Sequence, residues 1–142
     1  SRPARPGTYD GGMRAVDTNV LVRLLARDDP KQAAAADAFV APGAWVSHLV
    51  LVETVWVLGS VYEREPDSLA SAVRMLLEHE SLVVQDPDVV EAALRRFSGR
   101  PAPGFSDCLV LEVARKAGHL PLGTFDRDLA RLDDVQKLGP AR

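Results

Sequence analysis

The sequence contains very little cysteine and histidine. Its single cysteine, Cys108, has no partner for a disulfide within the chain, and no cysteine and histidine together have zinc-finger spacing. The three histidines, His48, His79 and His119, lie far apart and share no helical spacing, so we interpret them as ordinary residues. These scarcities exclude a disulfide-stapled scaffold and argue against a zinc site.

The sequence also lacks long apolar runs. None approaches the roughly 18 residues that are needed to cross a bilayer, and the N-terminus lacks the basic-then-apolar pattern of a secretory signal. We therefore expect a soluble protein that is located in the cytoplasm and has no membrane partner.

Positive charge is not in excess either. The formal net charge is −3, which argues against a protein that binds nucleic acid through a broad basic surface. However, if several of the 20 acidic residues converge on one site, bound divalent cations would reverse the local field. The net charge therefore does not exclude a nucleic-acid substrate.

What is present is the composition of one globular domain. The chain has 142 residues, of which 46% are apolar and 26% are charged. Residues 1–12 are rich in proline, glycine and arginine and have no apolar periodicity, so they are predicted to form a flexible N-terminal extension, native or artificial. The domain itself is predicted to cover residues 13–142.

From Met13 onward, short strand patterns alternate with longer helical patterns. Strands are predicted at 14–16, 44–47, 82–84 and 122–124. A fifth strand at 135–138 is left open. Helices are predicted at about 18–27, 31–40, 49–62, 67–79, 87–98, 106–117 and 127–132. This alternation is typical of an α/β domain with a mainly parallel sheet.

The segment 49–62, LVLVETVWVLGSVY, contains one charged residue, Glu53. A helix that is apolar on all sides is predicted to be buried or covered by a partner. A carboxylate in such a helix is costly to desolvate unless it is protonated, paired with a cation or bound to a metal. The alternative is that Glu53 reaches solvent near the first helical turn.

Three further carboxylates lie at predicted junctions between strands and helices. Asp17 follows the first strand, Asp107 lies in the first turn of its helix, and Asp126 follows the fourth strand. Each could simply cap a helix. However, the carboxyl ends of parallel strands meet at one edge of a sheet, which is where ligands bind in α/β domains. Asp128, two residues after Asp126, is left open as its alternative.

Carboxylate oxygens are ligands that suit hard divalent cations, and Mg²⁺ keeps several waters for substrate phosphates. A cation in such a site polarises a phosphate group and lowers the pKa of water. Hydrolysis of phosphodiester bonds is therefore the chemistry that this set of residues favours.

In three stretches the chain resembles the PIN-domain ribonucleases, especially the VapC-like toxins of bacterial toxin–antitoxin pairs. The matching stretches are AVDTNVLVRLL at 15–25, VSHLVLVETVWVL at 46–58 and SDCLVLEVARKAGHLPLGTFDRDL at 106–129, and the resemblance covers 13–138. It implies a PIN-like three-layer α/β/α fold with a central, mainly parallel sheet of four to five short strands. It also implies a metal-dependent endoribonuclease.

The resemblance further assigns the site. It implies that Asp17, Glu53, Asp107 and Asp126 are catalytic and bind Mg²⁺ or Mn²⁺. It implies that Thr18, Asn19 and Thr124 orient these carboxylates or contact the substrate phosphate.

The resemblance also implies an RNA substrate, a homodimer and a small VapB-like antitoxin that lies across the active-site groove. Independent support for an apolar contact comes from Val55, Trp56, Leu58, Val61 and Tyr62, although these could also form the core. Basic residues that could line an RNA path are Arg23, Arg27, Arg95, Arg96, Arg100, Arg115 and Lys116.

Two other interpretations are open. A receiver-type signalling domain also places carboxylates and a threonine at strand ends, but it uses paired acids after the first strand and a lysine after the last. Asp17 stands alone, and no lysine flanks Thr124. A PIN-like RNA-binding module without nuclease activity is the second alternative, which the intact set of four acids disfavours.

Overall fold

Five short strands alternate with helices in the computed structural model, which describes residues 12–140. The strands are β1 Arg14–Ala15, β2 Ala44–Val46, β3 Leu82–Val84, β4 Leu122–Thr124 and β5 Val135–Lys137. The helices are α1 Thr18–Ala26, α2 Pro30–Val40, α3 His48–Ser60, α4 Pro66–Glu78, α5 Pro87–Phe97 and α6 Phe105–Ala117. Except for Gly12, the predicted N-terminal extension lies outside the described residues.

All the strand pairs are parallel, as the alternation of elements predicts. One sheet has the order β1-β2-β3, and its register places Ala15 beside Trp45 and Val46 beside Val84. The expectation of one continuous sheet needs correction, because β4 pairs only with β5 in a second, two-stranded sheet within the described residues. Strands of two or three residues offer few backbone hydrogen bonds, so each pairing is short. The predicted α/β class is confirmed.

The core forms between the three-stranded sheet and the apolar faces of the helices. Alternate residues of β2 and β3 are buried, and α5 buries the face that its sequence spacing predicts. That face consists of Val89, Val90, Ala93, Leu94 and Phe97. Phe97 also meets Phe105 edge to face, with 6.0 Å between the ring centroids. This contact fixes the end of α5 against the start of α6, the helix that carries Asp107.

Two helix ends differ from prediction. The predicted helix at 127–132 is only a single 3-10 turn, Leu129–Arg131, because the chain becomes extended at Leu132. Helix α5, predicted to continue to residue 98, ends at Phe97, and the next residue, Ser98, is left-handed with φ +40°. Helix α6 ends at residue 117 as predicted, and the next residue, Gly118, has φ +85° and donates its backbone N–H to the carbonyl of Ala114.

Helix α3 is buried on one face only. Leu51 and Leu58 are fully buried, whereas 84% of Leu49 and 65% of Trp56 are exposed. The prediction that this helix is buried on all sides within the chain is therefore wrong. The other prediction, that a partner covers its exposed face, stays a prediction. No helix among residues 12–140 is long and apolar enough to cross a membrane.

Candidate active site

Asp17 lies directly after the core residue Val16, where the chain leaves β1 and enters α1. Its Oδ1 accepts a hydrogen bond from the backbone N–H of Val20 over 3.1 Å, so it is the N-cap of the helix. The other carboxylate oxygen, Oδ2, has no hydrogen-bond donor within the described residues. The cap therefore fixes the orientation of this carboxylate and leaves one oxygen for a ligand.

Glu53 lies in the second turn of α3 and accepts a hydrogen bond from the Thr18 hydroxyl. Its side chain is exposed. The argument that this carboxylate needs a partner because it is desolvated is therefore wrong, and the alternative that it reaches solvent is the one observed. What the structure adds is the contact with Thr18, which joins Glu53 to the residue beside Asp17.

Asp107 lies in the first turn of α6 and is half-buried. Burial raises the pKa of this carboxyl above its ordinary value, and the negative charge of nearby Asp126 raises it further. These two carboxylates are therefore close enough to repel one another. Such repulsion is what a bound cation would relieve.

Asp126 is held in place from both sides. Its backbone N–H donates to the Thr124 hydroxyl over 2.9 Å, and its Oδ1 accepts from the backbone N–H of Leu129 over 2.8 Å. Asp128 instead lies 3.9 Å from Arg131 in an ion pair. Asp126, and not Asp128, is the acid whose charge contributes to the raised pKa of Asp107.

The four acids form two adjoining pairs. Asp17 and Glu53 line one cavity of about 440 Å³, which Asn19 also lines. Glu53 and Ser106, the neighbour of Asp107, line a second groove. Within residues 12–140, no three acidic, histidine or cysteine side chains are close enough together to hold one metal ion. The structure therefore brings Asp17 to Glu53 and Asp107 to Asp126, but not all four into a single ligand shell.

The ion pairs of the protein set these four acids apart from many others. Within the described residues, none of the four pairs with a lysine or arginine, whereas the acids that do so are Asp28, Asp37, Asp86, Asp88, Glu91, Glu112, Asp128 and Asp134. Hard oxygen donors without a protein cation suit Mg²⁺ or Mn²⁺. The donor set therefore fits a divalent cation.

One buried carboxylate, Glu112, is not among the residues predicted from the sequence. It is 6% exposed and accepts from Arg96 Nε over 2.7 Å and from Arg115 Nε over 3.3 Å. The signal was available, because Glu112 stands between two apolar residues in α6 and Arg115 follows three residues later. One turn earlier on the same helix, burial raises the pKa of the Cys108 thiol to about 11, and the Asp107 charge contributes. A thiol with this pKa is not a nucleophile.

Comparison with known proteins agrees with the fold. The PIN domain family model matches residues 14–135, and the chain belongs to this family. A similar solved structure is that of VapC20 from Mycobacterium tuberculosis, a toxin that cleaves the sarcin–ricin loop. It is 22% identical, with a TM-score of 0.38, and the alignment covers 87% of this chain and 97% of that one. No curated protein matches the sequence. Membership of the PIN family removes the receiver-type domain as an interpretation of the acidic cluster.

Proposed function

We propose that this protein is a metal-dependent endoribonuclease of the cytoplasm that acts as the toxin of a toxin–antitoxin pair. The observation that carries the proposal is the pairing of Asp107 with Asp126, where burial and the charge of Asp126 raise the pKa of Asp107 and no lysine or arginine within the described residues forms an ion pair with either carboxylate. A stable fold tolerates such repulsion where a cation is to be bound. The neighbouring pair, Asp17 and Glu53, supplies two more oxygen ligands.

Asp17, Glu53, Asp107 and Asp126 are the residues that would hold Mg²⁺ or Mn²⁺. When bound, the cation supplies a Lewis acid for the scissile phosphate and makes water a better nucleophile at neutral pH. PIN family membership and the exclusively oxygen-based donor set both support this assignment.

The other site residues position these carboxylates. The Thr18 hydroxyl donates a hydrogen bond to the Glu53 carboxylate. The Thr124 hydroxyl accepts a hydrogen bond from the backbone N–H of Asp126. Asn19 is exposed in the first turn of α1 and lines the same cavity as Asp17. Its amide is therefore available to donate a hydrogen bond to a phosphate oxygen of the substrate.

The second part of the proposal concerns partners. A groove of about 1020 Å³ between α3 and α6 is lined mainly by apolar side chains. Its exposed members include Leu49, Trp56, Val110 and Val113. Exposed apolar surface of this extent favours a protein interface, and we assign it to a second copy of the chain. The small antitoxin would instead cover the acidic cluster and so block the substrate.

The deciding experiment is cleavage of an end-labelled single-stranded RNA by the purified wild-type protein. We expect cleavage with Mn²⁺ or Mg²⁺ and none in EDTA. Undiminished cleavage in EDTA would disprove the metal dependence, and no cleavage with either ion would favour an RNA-binding module without nuclease activity.

The toxin assignment needs a separate test in cells. We expect expression of the wild-type protein to slow growth, and expression of the Asp107→Asn variant to the same level to leave growth unchanged. Equal growth of the two strains would contradict the toxin role while leaving the nuclease activity standing.

A further inference from the structure

A further cavity, of about 530 Å³, differs from the two already described. It is lined by four arginines, one glutamate and two small or apolar side chains. Arg95 and Arg96 come from the last turn of α5, Arg100 from the loop that follows, and Arg115 from the last turn of α6. The arginine pocket, as we call these four residues, is separate from the acidic cluster.

The carboxylates nearby do not neutralise this pocket. Glu112 pairs with Arg96 and Arg115, and Asp134 pairs with Arg115 at 2.6 Å. Within the described residues, Arg95 and Arg100 have no carboxylate partner, and both are exposed. The pocket therefore keeps a net positive charge.

Two features prepare this pocket for an anion. Glu112 fixes the guanidinium groups of Arg96 and Arg115, so less rotamer entropy is lost when they bind a ligand. The Nη2 donor of Arg115 is buried and has no acceptor within the described residues. A buried donor left unpaired in this way is unfavourable, and a small shift of its guanidinium group toward a bound anion would satisfy it.

The chemistry of the pocket selects a phosphate group. The planar fork of a guanidinium donates two parallel hydrogen bonds to phosphate oxygens, and several arginines together are typical of phosphate recognition. A carboxylate ligand would leave most of these donors unused. The phosphate source that the proposed function provides is the RNA backbone.

The pocket and the acidic cluster lie at different places along the same helix, and none of the four acids of the cluster lines the pocket. Glu112 lies five residues after Asp107 on α6, which corresponds to about 7.5 Å along the helix axis. We propose that the arginine pocket binds a backbone phosphate of the RNA substrate away from the cleaved bond. This inference rests on the proposed function.

The test measures RNA binding without cleavage, by fluorescence anisotropy of a labelled single-stranded RNA in EDTA over a series of salt concentrations. The variant is the double substitution Arg95→Gln and Arg100→Gln, which spares the Glu112 ion pairs. Lys31→Gln is the matched control, because Lys31 is an exposed cation on α2 outside the pocket.

We expect the double variant to bind RNA about tenfold more weakly at low salt than the wild type. We also expect its salt dependence to be shallower by about 0.7 in the log–log slope, the value for one lost phosphate contact on a single strand. Lys31→Gln should keep the wild-type affinity and slope. Wild-type values for the double variant would overturn the inference.

Binding of inorganic pyrophosphate tests the phosphate site independently of the nuclease function. We expect it to raise the Tm of the wild type and of Lys31→Gln but not that of the double variant, at constant ionic strength. If the wild type neither binds nor cleaves RNA but shows this shift, the proposed function fails and the pocket serves a free phosphate compound. If the Tm of all three proteins responds equally, the pocket is not a phosphate site.

Discussion

Asp17 and Asp29 make the same capping contact. In each, Oδ1 accepts a hydrogen bond over 3.1 Å from the backbone N–H three residues later, and each begins a helix. Asp17 also lines the cavity that contains Glu53, whereas Asp29 is not part of that cavity. This pair of residues separates the capping role of an aspartate from its role in the acidic cluster.

We predict that Asp17→Asn reduces metal-dependent RNA cleavage at least about 100-fold while the Tm stays unchanged. Asparagine caps a helix as well as aspartate does, but it carries no charge to hold a cation. The measurement is the rate of RNA cleavage with saturating Mn²⁺, alongside thermal unfolding followed by circular dichroism.

Asp29→Asn is the matched control, because it makes the same chemical change at the same position of a neighbouring helix. We expect it to cleave RNA at the wild-type rate. Equal loss of activity in both variants would show that the effect of Asp17→Asn arises from the helix cap and not from the site.

A second prediction concerns the pH dependence of stability in EDTA. Burial, aided by Asp126, raises the pKa of Asp107 above its ordinary value of 3.8. The folded protein therefore holds this proton more tightly than the unfolded chain does. The resulting stabilisation is fully present below about pH 4 and is lost as the pH rises through the raised pKa. We predict that Asp107→Asn has a higher Tm than the wild type at pH 7, and that the difference shrinks toward pH 4.

Asp88 provides a control, because its pKa is lowered where that of Asp107 is raised. The hydrogen bond from Lys116 holds the pKa of the Asp88 carboxyl below its ordinary value, so its contribution to stability is present at neutral pH and is lost on acidification. Asp88→Asn should therefore lower the Tm at pH 7. A lower Tm for Asp107→Asn as well would mean that Asp107 is stabilised, not strained, in the folded protein.

The sequence could predict those features that depend on local pattern. The strand-and-helix order, the buried face of α5 and the cap at Asp17 follow from spacing and residue type, and all are observed. The location of the acids at junctions also follows from the order of elements. The family resemblance then added what local rules leave ambiguous, because a capping aspartate and a ligand aspartate look the same in sequence.

Features that depend on packing between distant elements were not predictable in this way. The exposure of Glu53 depends on which face of α3 meets the core, and an apolar sequence on all sides does not specify that face. The ion pair of Glu112 with Arg96 joins residues 16 positions apart on two helices. The division of the strands into two sheets depends on a few backbone hydrogen bonds that short strands leave undecided.

A third prediction compares two ion pairs of different burial. Glu112 is 6% exposed, whereas Glu91 and its partner Arg74 are each 39% exposed. We predict that Glu112→Ala lowers the free energy of unfolding by about 2 kcal/mol, because it removes the carboxylate partner of Arg96 and leaves Arg115 with Asp134 alone. Glu91→Ala should cost less than about 1 kcal/mol, as for other surface pairs. Urea unfolding measures both values, and equal costs would contradict the structural role of Glu112.

A fourth prediction tests the apolar groove as the interface between two copies of the chain. Val110 lies on α6, is 51% exposed and lines the groove. A lysine at this position would bury a charge in an apolar interface without a partner, which is costly. We therefore predict that the wild type is a dimer and that Val110→Lys is a folded monomer, as measured by sedimentation equilibrium.

Met75→Lys is the control for this change, because Met75 is 60% exposed on α4 and lies outside the groove. It adds the same charge to an exposed apolar position of another helix, so we expect it to remain a dimer. Dissociation of both variants would indicate that added charge alone separates the copies. A dimer that survives Val110→Lys but not Met75→Lys would place the interface on α4, and the groove between α3 and α6 would then be free to bind the antitoxin.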